Sequence, residues 1–472
     1  MSSVSALDSL LSSSTSSSSS IDLSSILQAA TGSSSSGIDV TSAVNSAITA
    51  ARQPETDWEN QETTLQSQIT ALDTLQTDAT NLDDDMQSLN SLTGPLSDRT
   101  VSSSDSSVVT GSAASGSTPG THVVVVNSLA TTASWTSGVY ASSSTALPSG
   151  SFTITTGSGS TATITTDGTQ TLSDVVSTIN NDSLGVTASV VTDATGSRLA
   201  VVSNSSGSAA NFTISTWNTG FGFTQAATGA NASLTVDGIG ISSASNTVTG
   251  VVSGLTLNLS SAAPNSSVTL EVAPDTSQSE SAINQFVTDY NQLITDLTTQ
   301  FTFSGTSEGP LASDPTVRSL QNEVLGVLSY TYSPTSGSTT VSNLTSLGIS
   351  VGDDGKLTVD SGTLESALQS NFSDVQNFFQ GTALNGFANS FDQQLTSFIS
   401  PSDGAFTVDL QSINSEITDL QNNVTNYETN YITPLKTQLT NDYSEAETLL
   451  QELPSEKAEI NEELGLNTSS SS

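Results

Sequence analysis

The 472 residues carry seven Lys and Arg against 46 Asp and Glu, a formal net charge of −39, and no cysteine. The cations are scattered singly, with no basic patch to neutralise phosphates, which excludes nucleic acid and an anionic membrane surface as partners; without thiols there is neither disulfide nor thiol chemistry. A hydrophobic content of 34% implies a chain only partly cored, no run of about 18 apolar residues could span a bilayer, and no ordinary secretory signal opens the sequence.

Residues 1–36 are mostly serine with short apolar islands, too polar to offset their ordering entropy, so a disordered segment is expected. It reads as a tether, or as an unfolded export signal. Gly37-Ile-Asp39 opens a helix with Val40, Val44, Ala47 and Ile48 on one face, and Pro54 suits the first turn of the next helix. That helix carries a seam at Leu65, Ile69, Leu72, Leu75, Ala79, Leu82, Met86 and Leu89, spaced 4, 3, 3, 4, 3, 4, 3 with one stammer, and stops at Thr93-Gly94-Pro95.

From Val101 to Ala273 the apolar period becomes two. Strands are expected at His122–Val126, Ser151–Thr155, Ala162–Thr165, Val186–Val191, Arg198–Ser203, Ser233–Val236, Val248–Val252, Leu255–Leu259 and Val268–Val272. Leu172, Val175, Val176 and Ile179 interrupt them with one short helix, and Asp193-Ala-Thr-Gly196 turns a hairpin. Helix resumes at Ser279–Phe303. Asp314-Pro315 caps Val317–Leu328, Lys356–Val359 forms half of a hairpin, and Leu364–Leu368 and Val375–Phe379 are short helices. A second seam then runs through Leu410, Ile413, Ile417, Leu420, Val424, Tyr427 and Tyr431, spaced 3, 4, 3, 4, 3, 4, and is interrupted by Pro434 and Pro454. Stripes this narrow need partner stripes, so the two chain ends should pair with each other or with the ends of other copies.

Chemistry is scarce. His122 is the sole histidine and borders a strand of four valines, so a structural role is favoured over catalysis. Asp83, Asp84 and Asp85 point about 100° apart on a helix and cannot converge on one cation, so they read as a solvated face. Asp353-Asp-Gly355 fits a turn, the sequons are what chance gives in a Ser/Thr-rich chain, and no P-loop or nucleophile–base arrangement accompanies them. No catalytic, cofactor or metal residues are assigned, and the chain is not expected to be an enzyme.

Several motifs in order carry a resemblance. Gly37-Ile-Asp39, Pro54 and the heptad helix are followed by Gly120-Thr-His-Val-Val-Val-Val-Asn-Ser-Leu-Ala130 and the β-rich segment 150–215. Val236-Asp-Gly238, Ser245–Val248, Gly254–Leu257, Phe286-Val287 with Tyr290-Asn291, Gly309–Asp314, Leu347-Gly-Ile349, Asp354–Leu357 and Asp360 come next. Over about residues 37–450 the chain resembles the bacterial flagellar filament-capping family, also called flagellar hook-associated protein 2, with His122 where that family has an aromatic residue. The resemblance implies an α+β multidomain fold, a terminal α-helical coiled-coil leg with two inserted, nested β-rich domains. The divisions expected are a disordered N-terminus (1–36), an N-terminal helical segment (37–99), two β-rich plate domains (100–275, the inner one about 135–230), a helical leg domain (276–404), and a C-terminal coiled-coil helix with a disordered tail (405–472).

By the same resemblance the protein is a cap at the growing flagellar tip. It would be secreted through the flagellar type III pathway as a chaperone-like scaffold that retains exported flagellin and promotes its folding and polymerisation, and so is needed for motility. Its partners would be further copies of itself in a ring, taken as a pentamer, then flagellin, the filament tip, the hook–filament junction proteins and the export apparatus. The seam residues Leu65, Ile69, Leu72, Leu82, Leu89, Leu410, Ile413, Ile417, Leu420 and Val424 are the expected oligomerisation and docking positions. The alternative is an extracellular adhesin whose β domains bind glycans such as those of host mucins; a secreted hydrolase would need a nucleophile–base pair.

Overall fold

A carboxylate begins the first described helix: Asp39 accepts hydrogen bonds from the backbone N–H and hydroxyl of Ser42, at 3.0 and 2.8 Å, capping α1 (Val40–Ala51). The computed structural model describes residues 39–216, 221–302, 309–334, 337, 339–382 and 385–463, so the serine-rich start and the last nine residues, both expected to be disordered, lie outside the described residues. Pro54 is the second residue of α2 (Gln53–Asn90), where its missing N–H costs nothing. This helix is rich in Thr and Ser, and their hydroxyls return to the carbonyl four residues back, as at Thr63, Ser67, Thr70, Thr74 and Thr77. With few cations to offer, helix surfaces pair amides with carboxylates instead: Gln53 with Asp57, Gln292 with Asp296, Gln369 with Glu365 and Gln451 with Glu447, each four residues apart.

The chain divides into two compact units. One draws on residues up to Asn81, Gln292–Val324 and from Gln394 onward; the other on Leu82–Asn291 and Leu325–Gln393.

The first unit is helical. It holds α1, most of α2, the C-terminal part of α4 (Thr276–Phe301), most of α5 (Pro315–Val327), and the chain end from Gln394 onward. Asp314 caps α5, its carboxylate accepting from the N–H groups of Thr316 and Val317. Arg318 lies over the Phe301 ring at 5.5 Å and donates to the Ala312 carbonyl, so one of the few cations here is structural. The chain end comprises α9 (Ala405–Tyr427), a π-turn at Glu428–Ile432 and α10 (Thr433–Glu463). Val44 and Ile48 of α1 pack with Ile432 and Leu439. The seam is expected to be interrupted at Pro434 and Pro454, and the helix itself runs on through both. The π-turn absorbs Pro434, with the Thr433 N–H reaching the Glu428 carbonyl five residues back, and α10 runs on through Pro454.

The second unit is mixed. A five-stranded antiparallel sheet orders β1 (Arg99–Ser103), β15 (Val268–Pro274), β3 (Gly120–Ser128), β11 (Ala232–Val236) and β12 (Ile239–Ser243). It shares a core with the smaller sheet β13 (Thr247–Thr249), β14 (Leu255–Leu259) and β2 (Val109–Ala113): Val124, Val126, Leu234, Leu257 and Leu270 are buried together. The strand expected at Val248–Val252 ends at Thr249, because Gly250 takes a φ of +76° and turns the chain.

Between β3 and β11 the chain leaves this sheet and builds a second core. There β10 (Thr224–Ala227), β4 (Thr132–Thr136), β8 (Gly196–Ser206) and β7 (Val186–Asp193) form one sheet, and β6 (Thr161–Thr166), β5 (Gly150–Thr156) and β9 (Phe212–Thr216) another. Phe152, Ile154, Leu199, Val201 and Phe221 fill the interior together with Leu172, Val175 and Ile179 of α3 (Leu172–Asn181). Thr171 and Asp174 close a capping box at the start of α3.

Four asparagines hold loops and strands as if they were strand partners. Each gives and takes one backbone hydrogen bond on a single distant residue: Asn180 on Ala188, Asn211 on Gly229, Asn246 on Ala130 and Asn291 on Leu357, all within 2.7–3.1 Å. The last clamp sits beside the hairpin β16 (Ile349–Val351) and β17 (Leu357–Val359). The helical end of this unit holds α6 (Ser361–Ser370), α7 (Phe372–Gln380) and the start of α8 (Phe387–Ile399), and an aromatic cluster lies on α7, α8 and their neighbours; Phe378 and Phe387 stack at 5.3 Å with Phe286, Tyr330, Phe379 and Phe391 edge-on around them.

Candidate docking site

Within the first unit the two seams come together. Trp58 of α2 meets Tyr427 of α9 edge to face, with ring centroids 5.6 Å apart, and Gln421 donates to the Glu62 carboxylate at 2.6 Å. Of the expected seam residues, Leu72, Ile417 and Leu420 are buried, whereas Leu65, Ile69, Leu410, Ile413 and Val424 are only partly covered. Leu82 and Leu89 belong to the second unit and are fully buried there, and the Leu89 carbonyl accepts from Gln380. The incompletely covered seam positions of this unit are therefore Leu65 and Ile69 of α2 and Leu410, Ile413 and Val424 of α9.

The heptad spacing assigns Tyr431 to the seam, and the structure corrects this. Tyr431 is 49% exposed, while its neighbour Ile432 is fully buried. The π-turn adds one residue to the helix and rotates everything after it by about 100°, so the stripe passes from Tyr427 to Ile432, Leu435 and Leu439. Pro434 is the signal in the sequence: a proline cannot donate to the carbonyl four residues back, and the rewinding precedes it. Beyond Leu439 the helix presents Leu449, Leu450, Leu453 and Ile460, each about half exposed.

An ion triad sits where α1, α2 and the π-turn meet. Arg52 lies 2.7 Å from Glu55 and 2.6 Å from Glu428. Glu55 is only 4% exposed, and its burial raises its carboxyl above the usual range despite Arg52. Tyr427 stacks on Tyr431 at 4.9 Å, and its hydroxyl donates to the Ala51 carbonyl. The triad and these rings tie the α1–α2 junction to the end of α9.

Two further residue groups settle differently. His122 Nδ1 is 2.8 Å from Asp237 Oδ2, and the Val123 N–H donates to Asp237 Oδ1. Asp237 and Gly238 both take positive φ, 53° and 81°, forming the tight turn from β11 to β12. The His122 contact and the Val123 N–H hold the Asp237 carboxyl below its usual value. The pairing is a turn fastener, consistent with the structural role read from the sequence. Asp83, Asp84 and Asp85 do not all form a solvated face: only Asp84 is exposed, and Asp83 is 5% exposed. The side chain of Asp83 faces Asp392 of α8, and that of Asp85 faces Asp289 of α4. The helix turns these two positions inward, where partners far off in sequence close over them.

Among the described residues, no group of three or more His, Cys, Asp or Glu could hold a metal, and no helix is long and apolar enough to cross a membrane.

Residues 36–133 match the N-terminal region and residues 229–455 the C-terminal region of flagellar hook-associated protein 2, and residues 151–205 match the flagellin hook IN motif. The lateral flagellar hook-associated protein 2 of Vibrio parahaemolyticus is 24% identical over 283 residues, 56% of this chain and 62% of that protein. The B-type flagellar hook-associated protein 2 of Pseudomonas aeruginosa is 32% identical over 159 residues, 32% of this chain and 33% of that protein. The matched stretch thus spans less than two thirds of the length of either relative. Among solved structures, the D1-D2-D3 domains of the flagellar cap protein of Escherichia coli align with a TM-score of 0.59 at 26% identity, covering 73% of this chain and 99% of that one.

Proposed function

Because the chain belongs to the flagellar hook-associated protein 2 family, the cap proteins of the bacterial flagellar filament, we propose that it caps the growing filament tip as a ring of identical subunits. The observation that carries the reading is the meeting of both chain ends in one helical unit that leaves a partly covered apolar stripe. A stripe of this kind suits a contact that must form, shift and re-form as subunits are added beneath it: enough apolar area to dock, too little to lock. Leu65, Ile69, Leu410, Ile413 and Val424 would supply the shallow part of that contact, and the half-exposed leucines of α10 would reach a neighbouring copy or the filament end.

In this reading the protein leaves the cell by the flagellar type III route and meets the hook–filament junction proteins. It then holds exported flagellin until each molecule folds into the next vacant position. Its work is mechanical and chaperone-like, without bond chemistry. Deletion decides between a cap and an adhesin. A strain without the cap should be non-motile and shed monomeric flagellin, and purified protein should appear on filament tips by electron microscopy as a five-fold ring. Normal swimming in the deletion strain would refute the proposal.

A further inference from the structure

Carboxyl groups that face one another inside a helical end need either a cation or a proton between them. Asp83 on α2 meets Asp392 on α8, and Asp85 on α2 meets Asp289 on α4, so acid faces acid where three helices distant in sequence come together. The other groups around them offer no positive charge. Gln87 donates to Asp83 Oδ2 at 2.7 Å, the neighbouring Asp84 adds like charge to both Asp83 and Asp85, and Gln285 donates to Asp289 Oδ2 at 2.9 Å. That leaves Asp83 Oδ1 and Asp85 Oδ2 buried with no protein donor. An oxygen that lacks a donor while facing a second carboxyl is satisfied once either group carries a hydrogen.

We propose that each pair, Asp83 with Asp392 and Asp85 with Asp289, shares one proton, and that the helical end of this unit is consequently held more tightly in acid than at neutral pH. One carboxyl of each pair donates and the other accepts, which makes a short charge-assisted hydrogen bond of the strong kind. Burial, then Asp392, raises the Asp83 carboxyl to about 7; burial, then Asp289, does the same for Asp85. Groups whose pKa is raised on folding stabilise fully below the unfolded value of 3.8 and lose that contribution as pH climbs through the folded value. The window therefore runs from about pH 4 to about pH 7. Above it Asp83 and Asp85 lose their protons, and the charge this places against a second carboxyl pushes α2 away from α4 and α8. The device is independent of what the protein caps.

Hydrogen exchange of the full chain between pH 5 and pH 8, corrected for intrinsic rates, reads this locally in segments 82–91, 284–293 and 387–393. Salt at about 0.5 M screens the general surface repulsion of an acidic chain. Protection in these segments should fall at least about tenfold as pH rises, while the β-sheet segments change little. Asp83→Asn with Asp85→Asn replaces the shared proton by amide donors and should keep protection across the range; Asp84→Asn should behave as the native chain. The mirror variant, Asp392→Asn with Asp289→Asn, should match the first, and serves if that one fails to fold. Protection that is flat or rises with pH overturns the proposal, as does a fall in the amide variants equal to the native one. Restoration of the native chain at pH 8 by added Mg²⁺ or Ca²⁺ would put a cation in the pairs and also overturn it.

Discussion

Ile432 and Tyr431 are adjacent, and the π-turn decides which of them stabilises the joined chain ends. Ile432 is fully buried against Val44, Ile48 and Leu439, whereas Tyr431 is 49% exposed with its ring stacked on Tyr427 at 4.9 Å. Truncating a fully buried Ile to Ala costs about 2–5 kcal/mol, and the small size of this cluster favours the lower half of that range. Tyr431→Ala loses an aromatic pair of about 0.5–1.5 kcal/mol and little buried area. The difference, about 1–2 kcal/mol, should separate the urea midpoints of the two variants by roughly 1 M for an m-value of about 1–2 kcal/mol/M. Trp58, edge-on to Tyr427 at 5.6 Å, reports on this joint once Trp135 and Trp217 are replaced by Phe in every version. If Tyr431→Ala costs as much as Ile432→Ala, or more, an uninterrupted heptad describes the helix, and the one-residue phase shift argued here is wrong.

Other outcomes follow from the same geometry. Arg52→Gln strands the buried Glu55 carboxylate and, since Arg52 itself is 41% exposed, should cost about 1–3 kcal/mol in the Trp58 transition, whereas Arg52→Met with Glu55→Met should recover most of it. Because the Glu55 carboxyl is already raised by burial, the deficit of Arg52→Gln should be larger at pH 8 than at pH 5. Asp237→Ala should lower stability by about 0.5–1.5 kcal/mol at pH 7 by thermal melting. The depressed carboxyl there stabilises above its unfolded pKa and loses that contribution as pH falls, so the gap to the native chain should shrink by about pH 3. Ile413→Asp with Ile417→Asp should leave the β-sheets folded and abolish swimming, since Ile417 is 6% exposed. Thr418→Asp with Asn422→Asp, at exposed neighbours, should swim, and equal motility of the two double variants would remove the seam from the capping reading.

What could be read from the sequence was whatever is local. The Asp314 cap, the Leu172–Ile179 helix face and the Asp193–Gly196 turn each rest on residues a few positions apart, and all are present. The spacing of Phe387, Phe391, Leu395 and Phe398 is equally helical and marks α8. Non-local strand order was out of reach: nothing near β3 announces that it lies between β15 and β11. For the candidate docking site, both seams were visible as stripes, but their depth was not. A heptad count treats Leu65 and Leu89 alike, although one is half covered and the other fully buried. The inward turn of Asp83 and Asp85 was hidden for the same reason, because their partners come from α4 and α8.

The four asparagine clamps bear on how the protein ages. Each clamp needs an amide, because hydrolysis to aspartate would keep the acceptor, lose the donor, and set a carboxylate against a backbone carbonyl. Side-chain hydrolysis of asparagine runs fastest when glycine follows, since a small neighbour lets the next backbone nitrogen attack the amide. The residues after Asn180, Asn211, Asn246 and Asn291 are Asn, Phe, Thr and Gln, all bulky enough to obstruct that attack. An Asn-Gly pair does occur, at Asn385-Gly386, away from any clamp. In old protein the first deamidated peptide should therefore carry Asn385, with the clamped loops still in register.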